Sequence, residues 1–189
     1  MSDRAWGLGR GALGTANHAP GPKPQALFRY AESQPSTPVA ALVLNYWSFQ
    51  ADAPPPPDEP YTVLPDGCLS VACVRTGHGP AFVALVGPRV THFSPPFGPG
   101  TRIWGIRFRP DAIGPALGVS AVQLRDFFGG LPPDFPPAFA ELDSVLPHSD
   151  DTDIVFPELD AWTTRALAGA SEPDPRVRAA VRAIAAGRG

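Results

Sequence analysis

Short apolar runs separated by turn residues dominate the chain between residues 39 and 109. Pro, Gly and Asp are frequent between these runs and favour turns. The run at 83–86 is apolar at every position, which is typical of a strand that is buried on both faces. Strands this short and this closely spaced predict a β-barrel or β-sandwich. The candidate strands are residues 45–50, 61–64, 68–75, 81–86 and 101–109.

After Pro110 the apolar period becomes helical. Ser120 and Gln123 form a capping box, which predicts a helix over residues 120–128. A second helix is predicted to begin at Pro157 and to end at Gly169. The fold class expected from this order is α+β, with a small barrel or sandwich followed by helices.

A third helix is predicted after Asp174, which is a good N-cap, with Pro175 at the first helical position. Its apolar stripe has little left to pack against. In the helices after residue 155, the stripe of Phe156, Leu159 and Trp162 offers more apolar surface than one barrel face needs, and this surplus predicts self-association as a homodimer. The alternative is that some of this surface covers the barrel.

Residues 1–25 are rich in Gly, Pro and Ala and are predicted to form a flexible tail. Residues 9–14 match the pattern GxGxxG, but no strand precedes them. A dinucleotide-binding loop needs that strand, so we interpret the match as accidental.

The charge pattern argues against DNA binding by this chain alone. Its net charge is −3, and its arginines are scattered rather than clustered. A nucleic-acid binder needs clustered positive charge to displace counterions from phosphate. No apolar run of about 20 residues and no secretory signal is present, which predicts a cytoplasmic protein without a membrane partner.

Three segments of the chain form a recognisable series: residues 45–48 (NYWS), 61–68 (YTVLPDGC) and 105–110 (GIRFRP) leading into 117–120 (LGVS), with Gly87-Pro88 between the second and the third. Together they resemble the N-terminal domain of AraC/XylS-type bacterial transcription regulators. The resemblance extends over about residues 27–187. It implies a cupin-like barrel that holds a small-molecule effector, followed by helices used for dimerisation.

The resemblance also implies a division of the chain. Residues 26–145 would form the barrel with packed helices, 146–172 a linker and dimerisation helix, and 173–189 the start of the DNA-binding domain. The two helix-turn-helix units that should follow are not in the sequence. The expected function is therefore effector sensing and dimerisation, with DNA bound only through that missing C-terminal domain.

One alternative places DNA binding inside the chain. Residues 117–124 resemble the turn and second helix of a helix-turn-helix motif, so that residues 111–128 would contact DNA. Gly114 and Pro115 fall where the first helix must be continuous, and proline there costs roughly 3 kcal/mol. The favoured interpretation is a capped helix packed on the barrel.

The candidate ligand-binding residues are Trp47, Tyr61, Cys68 and Arg107. Alternation along the last strand places Gly105 and Arg107 on one face and Trp104 on the other, more hydrophobic one. Glycine would make room for a ligand, and Arg107 would pair with a carboxylate or phosphate. The structural alternatives are core packing for the tryptophans and, for Arg107, a salt bridge to a local acid such as Asp111. Asp66 is expected to stabilise its own turn.

The other class of function considered is a small cupin-like metal-binding protein or enzyme. The histidines, His18, His78, His92 and His148, lack metal-ligand spacing, so neither a metal nor a cofactor is expected. Cys68 with His92 could form a thiolate and its base, but no third orienting group accompanies them. A buried structural thiol is favoured for Cys68, and no enzymatic activity is expected.

Overall fold

The computed structural model describes residues 28–54, 61–77, 79–95, 97–146 and 148–187. The predicted N-terminal tail, the GxGxxG match, His18 and His78 lie outside these ranges. The elements are β1 (Phe28–Ser33), β2 (Val43–Ala51), β3 (Leu69–Thr76), β4 (Phe82–Val86), β5 (Thr101–Phe108), α1 (Ile113–Leu117), β6 (Phe128–Gly129), α2 (Leu142–Val145), α3 (Thr152–Ala166) and α4 (Pro175–Ala185).

The described strands form one antiparallel sheet in the order β1-β2-β5-β3-β4-β6. The predicted α+β class is confirmed. Within the described residues the sheet stays open, with β1 and β6 at its edges, and does not close into a barrel. Strand β5 lies between β2 and β3, and therefore positions side chains at the centre of both faces.

The structure differs from the strand predictions in two places: one predicted strand does not form, and one strand was not predicted. Residues 61–64 do not form a strand, because only Val63 pairs, in an isolated bridge with Phe93. Strand β1 was not predicted, and it pairs along the whole of its length with β2. Its alternation of aromatic and polar residues is short and lies next to the Gly- and Pro-rich tail, which conceals it in the sequence.

The helix predicted at 120–128 is wrong. Residues 121–126 form successive turns, and Phe128 begins β6. A Cβ on Gly87 would lie 1.8 Å from the Leu124 carbonyl oxygen, so the two backbones are in contact. The Asp126 amide donates to the Pro88 carbonyl, and the Gly87 amide donates to the Phe127 carbonyl. The backbone of residues 121–127 is thus hydrogen-bonded to residues 87–88 and does not form a helix. The helix-turn-helix alternative requires a recognition helix at this position, and the structure has none there among the described residues.

Helix α3 begins at Thr152, five residues before the predicted start, and includes Pro157. The cap is Asp151, whose side chain accepts a hydrogen bond from the Asp153 amide. Proline inside the helix removes one internal hydrogen bond without ending it here. The prediction for α4 is confirmed, since Asp174 caps it and Pro175 begins it.

The apolar stripe of α3 is part of the monomer core. Leu159 is fully buried, and Phe156 and Trp162 are 8% exposed, in the same cluster as Tyr46 and Trp104 of the sheet. The surplus of apolar surface predicted for this stripe is therefore wrong, because the stripe covers the sheet.

Candidate functional site

The two faces of the sheet have different coverings. We call the face packed against α1, α2 and α3 the helix face, and the opposite face, partly covered by Tyr61 and Phe97, the loop face. On β5, Trp104, Ile106 and Phe108 belong to the helix-face core, whereas Ile103 belongs to the loop-face cluster. The predicted alternation along this strand is confirmed, and Gly105 and Arg107 lie on the loop face.

Because Gly105 has no side chain, it leaves space on the loop face, and the indole of Trp47 fills that space. The two residues are cross-strand partners on β5 and β2. A Cβ on Gly105 would lie 2.2 Å from Cε2 of Trp47. The ring therefore packs directly against the backbone of β5, where no other residue type would let it sit.

Arg107 lies beside this indole and between two acids. Its guanidinium carbon is 6.0 Å from the centre of the Trp47 ring. Nη1 is 3.6 Å from Glu32 Oε1, and Nε is 3.4 Å from Asp66 Oδ2. The side chain is 22% exposed. The cation is thus held by an aromatic ring on one strand and by carboxylates from β1 and from the loop before β3.

Asp111, the example of a local acid that could pair with Arg107, pairs elsewhere. Asp111 lies in a 3-10 turn after β5, and its carboxylate accepts a hydrogen bond from Arg178 Nε of α4 at 3.1 Å. The structural alternative for Arg107, a salt bridge to an acid, is therefore confirmed with Glu32 and Asp66, whereas Asp111, the acid named as its example, pairs with α4 instead. Asp66 does stabilise its own turn, since Oδ1 accepts from the Cys68 amide at 2.9 Å.

Three buried polar atoms in this region form no hydrogen bond within the described residues. They are Asn45 Oδ1, Trp47 Nε1 and Arg107 Nε, the last of which contacts Asp66 as an ion pair only. Strand register places Asn45 on one side of Arg107 and Ser70 on the other, both nearly buried. We call Glu32, Asn45, Trp47, Asp66, Ser70 and Arg107 the Arg107 cluster.

Tyr30 closes the β1 side of the cluster. Its hydroxyl donates to Glu32 Oε1, and its ring stacks on Trp47 with centroids 6.5 Å apart. Burial raises the pKa of Tyr30 above its usual value, which the neighbouring Arg107 charge only partly opposes. Tyr30 therefore remains a neutral donor at physiological pH.

Cys68 is buried next to the cluster and is a free thiol. Burial raises the pKa of the Cys68 thiol to about 12, with the Asp66 carboxylate adding to the rise and Arg107 opposing it. A thiol protonated at neutral pH suits packing rather than nucleophilic attack. Cys73, also buried and free, lies in the helix-face core.

Tyr61 is separated from Arg107 along the loop face. Its ring makes edge contacts with Phe28 and Phe49, at 5.2 Å and 5.1 Å. Its hydroxyl donates to the Ala53 carbonyl at 3.1 Å. Of the four candidates, the structure brings Trp47, Cys68 and Arg107 together and places Tyr61 in a separate aromatic cluster.

Sequence reasoning missed four members of the cluster as site residues: Glu32, Asn45, Ser70 and Asp66, the last of which was expected only to stabilise its own turn. Asn45 and Ser70 meet Arg107 only through strand register, and Glu32 belongs to the unpredicted β1. The available signal was alternation, because Phe28, Tyr30 and Glu32 share one face of a short strand.

Two surface clefts lie elsewhere on the described chain, and neither is lined by a predicted ligand-binding residue. One is formed around the start of α4, by residues such as Asp174 and Arg178. The other, of about 450 Å³, lies at the end of β3 and the start of β5, between Arg75 and Asp150.

The described ranges contain no group of three or more His, Cys, Asp and Glu side chains placed to hold a metal ion. None of the helices in those ranges combines the length and apolar character that a membrane crossing requires.

Comparison with known proteins gives one family match. No curated protein and no solved structure matches the chain. A family described as "Domain of unknown function (DUF6597)" matches residues 31–128, from within β1 to the first residue of β6. This range is just over half of the chain and contains the whole Arg107 cluster. The chain therefore belongs to the DUF6597 family.

Proposed function

We propose that this protein is the ligand-sensing part of a transcription regulator and that it binds a small polar molecule at the Arg107 cluster. The observation that carries the proposal is the set of three buried polar atoms, on Asn45, Trp47 and Arg107, without hydrogen-bond partners. An unsatisfied buried polar group costs about 1–3 kcal/mol. A ligand that supplies one donor and two acceptors would recover that energy on binding.

The charges favour a neutral molecule over an anion. Glu32 and Asp66 already balance the single positive charge of Arg107 and leave one negative charge in excess. A carboxylate or phosphate, the ligand expected from Arg107 alone, would have to displace one of these acids. Sensing also fits the resemblance of residues 45–48, 61–68 and 105–110 to the effector domains of AraC/XylS-type regulators.

The route from the cluster to α4 is short. Arg178 of α4 donates to Asp111, which follows β5, and to the Ala41 carbonyl, which precedes β2, at 3.1 Å and 3.2 Å. Strands β2 and β5 carry Trp47 and Arg107. A ligand that shifts these strands would therefore act on the helix that resembles the start of the DNA-binding domain.

The proposal also includes DNA contact and a homodimer, and neither of these would use the buried groups of the Arg107 cluster. The net charge of −3 gives the chain no general attraction for phosphate, so DNA is assigned to a separate C-terminal domain. The α3 stripe is buried in the monomer, and a dimer would need another face.

A thermal-shift screen of small neutral metabolites tests the proposal. We expect at least one compound to raise the unfolding temperature and to bind with measurable heat in calorimetry. Asn45→Ala should weaken that binding by about ten-fold, since a lost hydrogen bond costs about 1–1.5 kcal/mol. The control is Gln123→Ala, an exposed amide outside the cluster. Equal binding by both variants would contradict the site, and no binding by any compound would contradict the function.

A further inference from the structure

Strand β1 forms an open edge of the sheet. It is the first strand in the order, and within the described residues no strand pairs with its outer side. None of its six residues is buried, and Arg29, Tyr30 and Glu32 are exposed. In an antiparallel ladder, every second residue of an edge strand directs its N–H and C=O groups away from the sheet. These backbone groups are available to bind another strand.

Strand β1 lacks several of the features by which proteins usually protect such an edge. All six of its residues pair with β2 in one continuous register, without a bulge. Its sequence, FRYAES, contains neither proline nor lysine. At the opposite edge of the described sheet, β6 has only two residues, which are too few to hold an added strand. An added strand therefore fits β1.

The charges of β1 suit a second copy of the same strand. Its one arginine and its one glutamate have opposite signs, so two copies do not present edges of uniform charge to each other. Two copies can pair antiparallel about a two-fold axis perpendicular to the sheet. Each face then continues into the same face of the partner, and residues on opposite faces alternate along the strand. The axis must therefore pass through a residue rather than between two residues.

Three positions of the axis are unfavourable. An axis at Arg29 would place two arginines directly opposite each other, and an axis at Glu32 would do the same with two glutamates. Like charges in that position destabilise a sheet. An axis at Tyr30 would place the apolar ring of Phe28 opposite the carboxylate of Glu32 of the partner. An axis at either end of the strand would pair only part of it.

An axis at Ala31 avoids these conflicts. It brings two small, half-buried side chains together where the strands cross the axis. It places Arg29 opposite Ser33 of the partner, so that a hydroxyl faces the guanidinium. It also places Tyr30 opposite Glu32 of the partner, so that a phenol faces a carboxylate. This is the one central register in which every charged side chain faces a polar group.

We propose that β1 pairs with β1 of a second copy, antiparallel and with the two-fold axis at Ala31, so that the two sheets become continuous. The inference gives a surface to the homodimer of the proposed function and in that respect rests on that function. The interface consists mainly of one strand from each protomer, which is at the low end of the sizes known for specific complexes. The dimer should therefore dissociate on dilution.

Sedimentation velocity over a range of protein concentrations tests the pairing. We expect a monomer at low concentration and a dimer at high concentration. Ser33→Lys places a lysine opposite Arg29 of the partner, and symmetry repeats this contact, so dimerisation should weaken about ten-fold. The control is Ser171→Lys, at an exposed serine outside the sheet, which should leave dimerisation unchanged. A chain that stays monomeric, or equal weakening by both variants, would overturn the proposal.

Disulfide crosslinking locates the axis. The native thiols of Cys68 and Cys73 are buried, so an introduced thiol reacts without competition from them. Ala31→Cys should give a covalent dimer under mild oxidation, since directly opposite residues have Cα atoms about 5 Å apart. Arg29→Cys is the matched control on the same strand. Its two thiols would lie four residues apart, about 13 Å, which is too far for a disulfide.

The crosslinking result also works if Ser33→Lys disturbs β1 itself. No covalent dimer from Ala31→Cys, or equal crosslinking by Arg29→Cys, would overturn the proposed register. The thermal-shift screen tests the ligand site separately. A chain that crosslinks through Ala31→Cys but binds no compound supports the strand pairing and contradicts the sensing function. A monomer that binds a compound contradicts the pairing alone.

Discussion

The helix face and the loop face of the sheet share the same strands but bury their side chains differently. Among the described residues, the helix-face core joins large side chains of the sheet, such as Tyr46 and Trp104, to those of α3 and the segments before it. The loop-face cluster has six buried members, three of which are alanines, and half-buried aromatic rings surround them. Because the helix-face core lies between the sheet and the helices, it is enclosed on both sides, and we assign most of the stability of the fold to it.

Within the described residues, buried polar atoms without a hydrogen bond lie on both faces, with Tyr46 and Trp104 on the helix face and the three atoms of the Arg107 cluster on the loop face. Asn45, Ser70 and Arg107 extend the loop-face cluster with a polar row at the centre of the sheet. The comparison therefore separates the faces by their apolar packing, which is denser on the helix face, and the ligand site on the loop face remains the proposal made above.

The largest expected effect comes from matched truncations on the two faces of β5. Ile106 lies in the helix-face core and Ile103 in the loop-face cluster, and both are almost fully buried. Ile106→Ala should lower the free energy of unfolding by about 3 kcal/mol. Ile103→Ala should lower it by about 2 kcal/mol, because the half-buried rings around Ile103 can move into the cavity that the substitution leaves. Urea denaturation measures both. Equal losses would remove the energetic distinction between the faces.

A smaller effect is expected at the contact between Gly105 and Trp47. Gly105→Ala places a methyl group where the indole lies, so the ring must move, at a cost of about 2 kcal/mol. Gly98→Ala is the matched control, because a Cβ at Gly98 meets nothing within 4 Å. In a Trp47→Ala background the cost of Gly105→Ala should fall well below 2 kcal/mol. An unchanged cost in that background would show that the indole is not what the glycine accommodates.

Local sequence signals predicted the elements whose boundaries depend on neighbouring residues. Asp174 with Pro175 marks the start of α4, and alternation along β5 separates Trp104 from Arg107. In both cases the determining groups lie within a few positions of one another, so a pattern in the sequence is enough to reveal them.

The predictions that depended on distant contacts were the ones that failed. The capping box at Ser120 did not produce a helix, because Gly87 and Pro88 bind the backbone of that turn. A salt bridge from Arg107 to a local acid was foreseen, but not which acid: Asp111 is the nearest in the sequence, whereas the register of β1 against β2 brings Glu32 to it. The surroundings of a site residue are fixed by register, which composition and periodicity do not encode.

The smallest effect is a loss of stability at high pH that involves one thiol near each face. Burial raises the pKa of Cys68 to about 12 and that of Cys73 to about 11, from a usual value of 9.0. The folded chain thus keeps both protons at a pH where the unfolded chain has released them. Stability is complete below pH 9 and falls as the pH rises toward the two folded pKa values.

Between pH 9 and pH 10 the thiols contribute most of the slope, because a tyrosine of the unfolded chain, with a pKa of about 10, goes only from about one-tenth to about one-half ionised over this interval. Each thiol should contribute a slope of at most about 1.4 kcal/mol per pH unit to the free energy of unfolding. Cys68→Ala and Cys73→Ala should each remove part of that slope, measured by urea denaturation at fixed ionic strength. If Cys73→Ala lowers the slope and Cys68→Ala does not, the Cys68 thiol is open to solvent. The loop face would then be less closed around the Arg107 cluster than its packing indicates. A slope that neither substitution changes would mean that neither thiol is buried in solution, and the two faces would no longer differ in how they shield their interior.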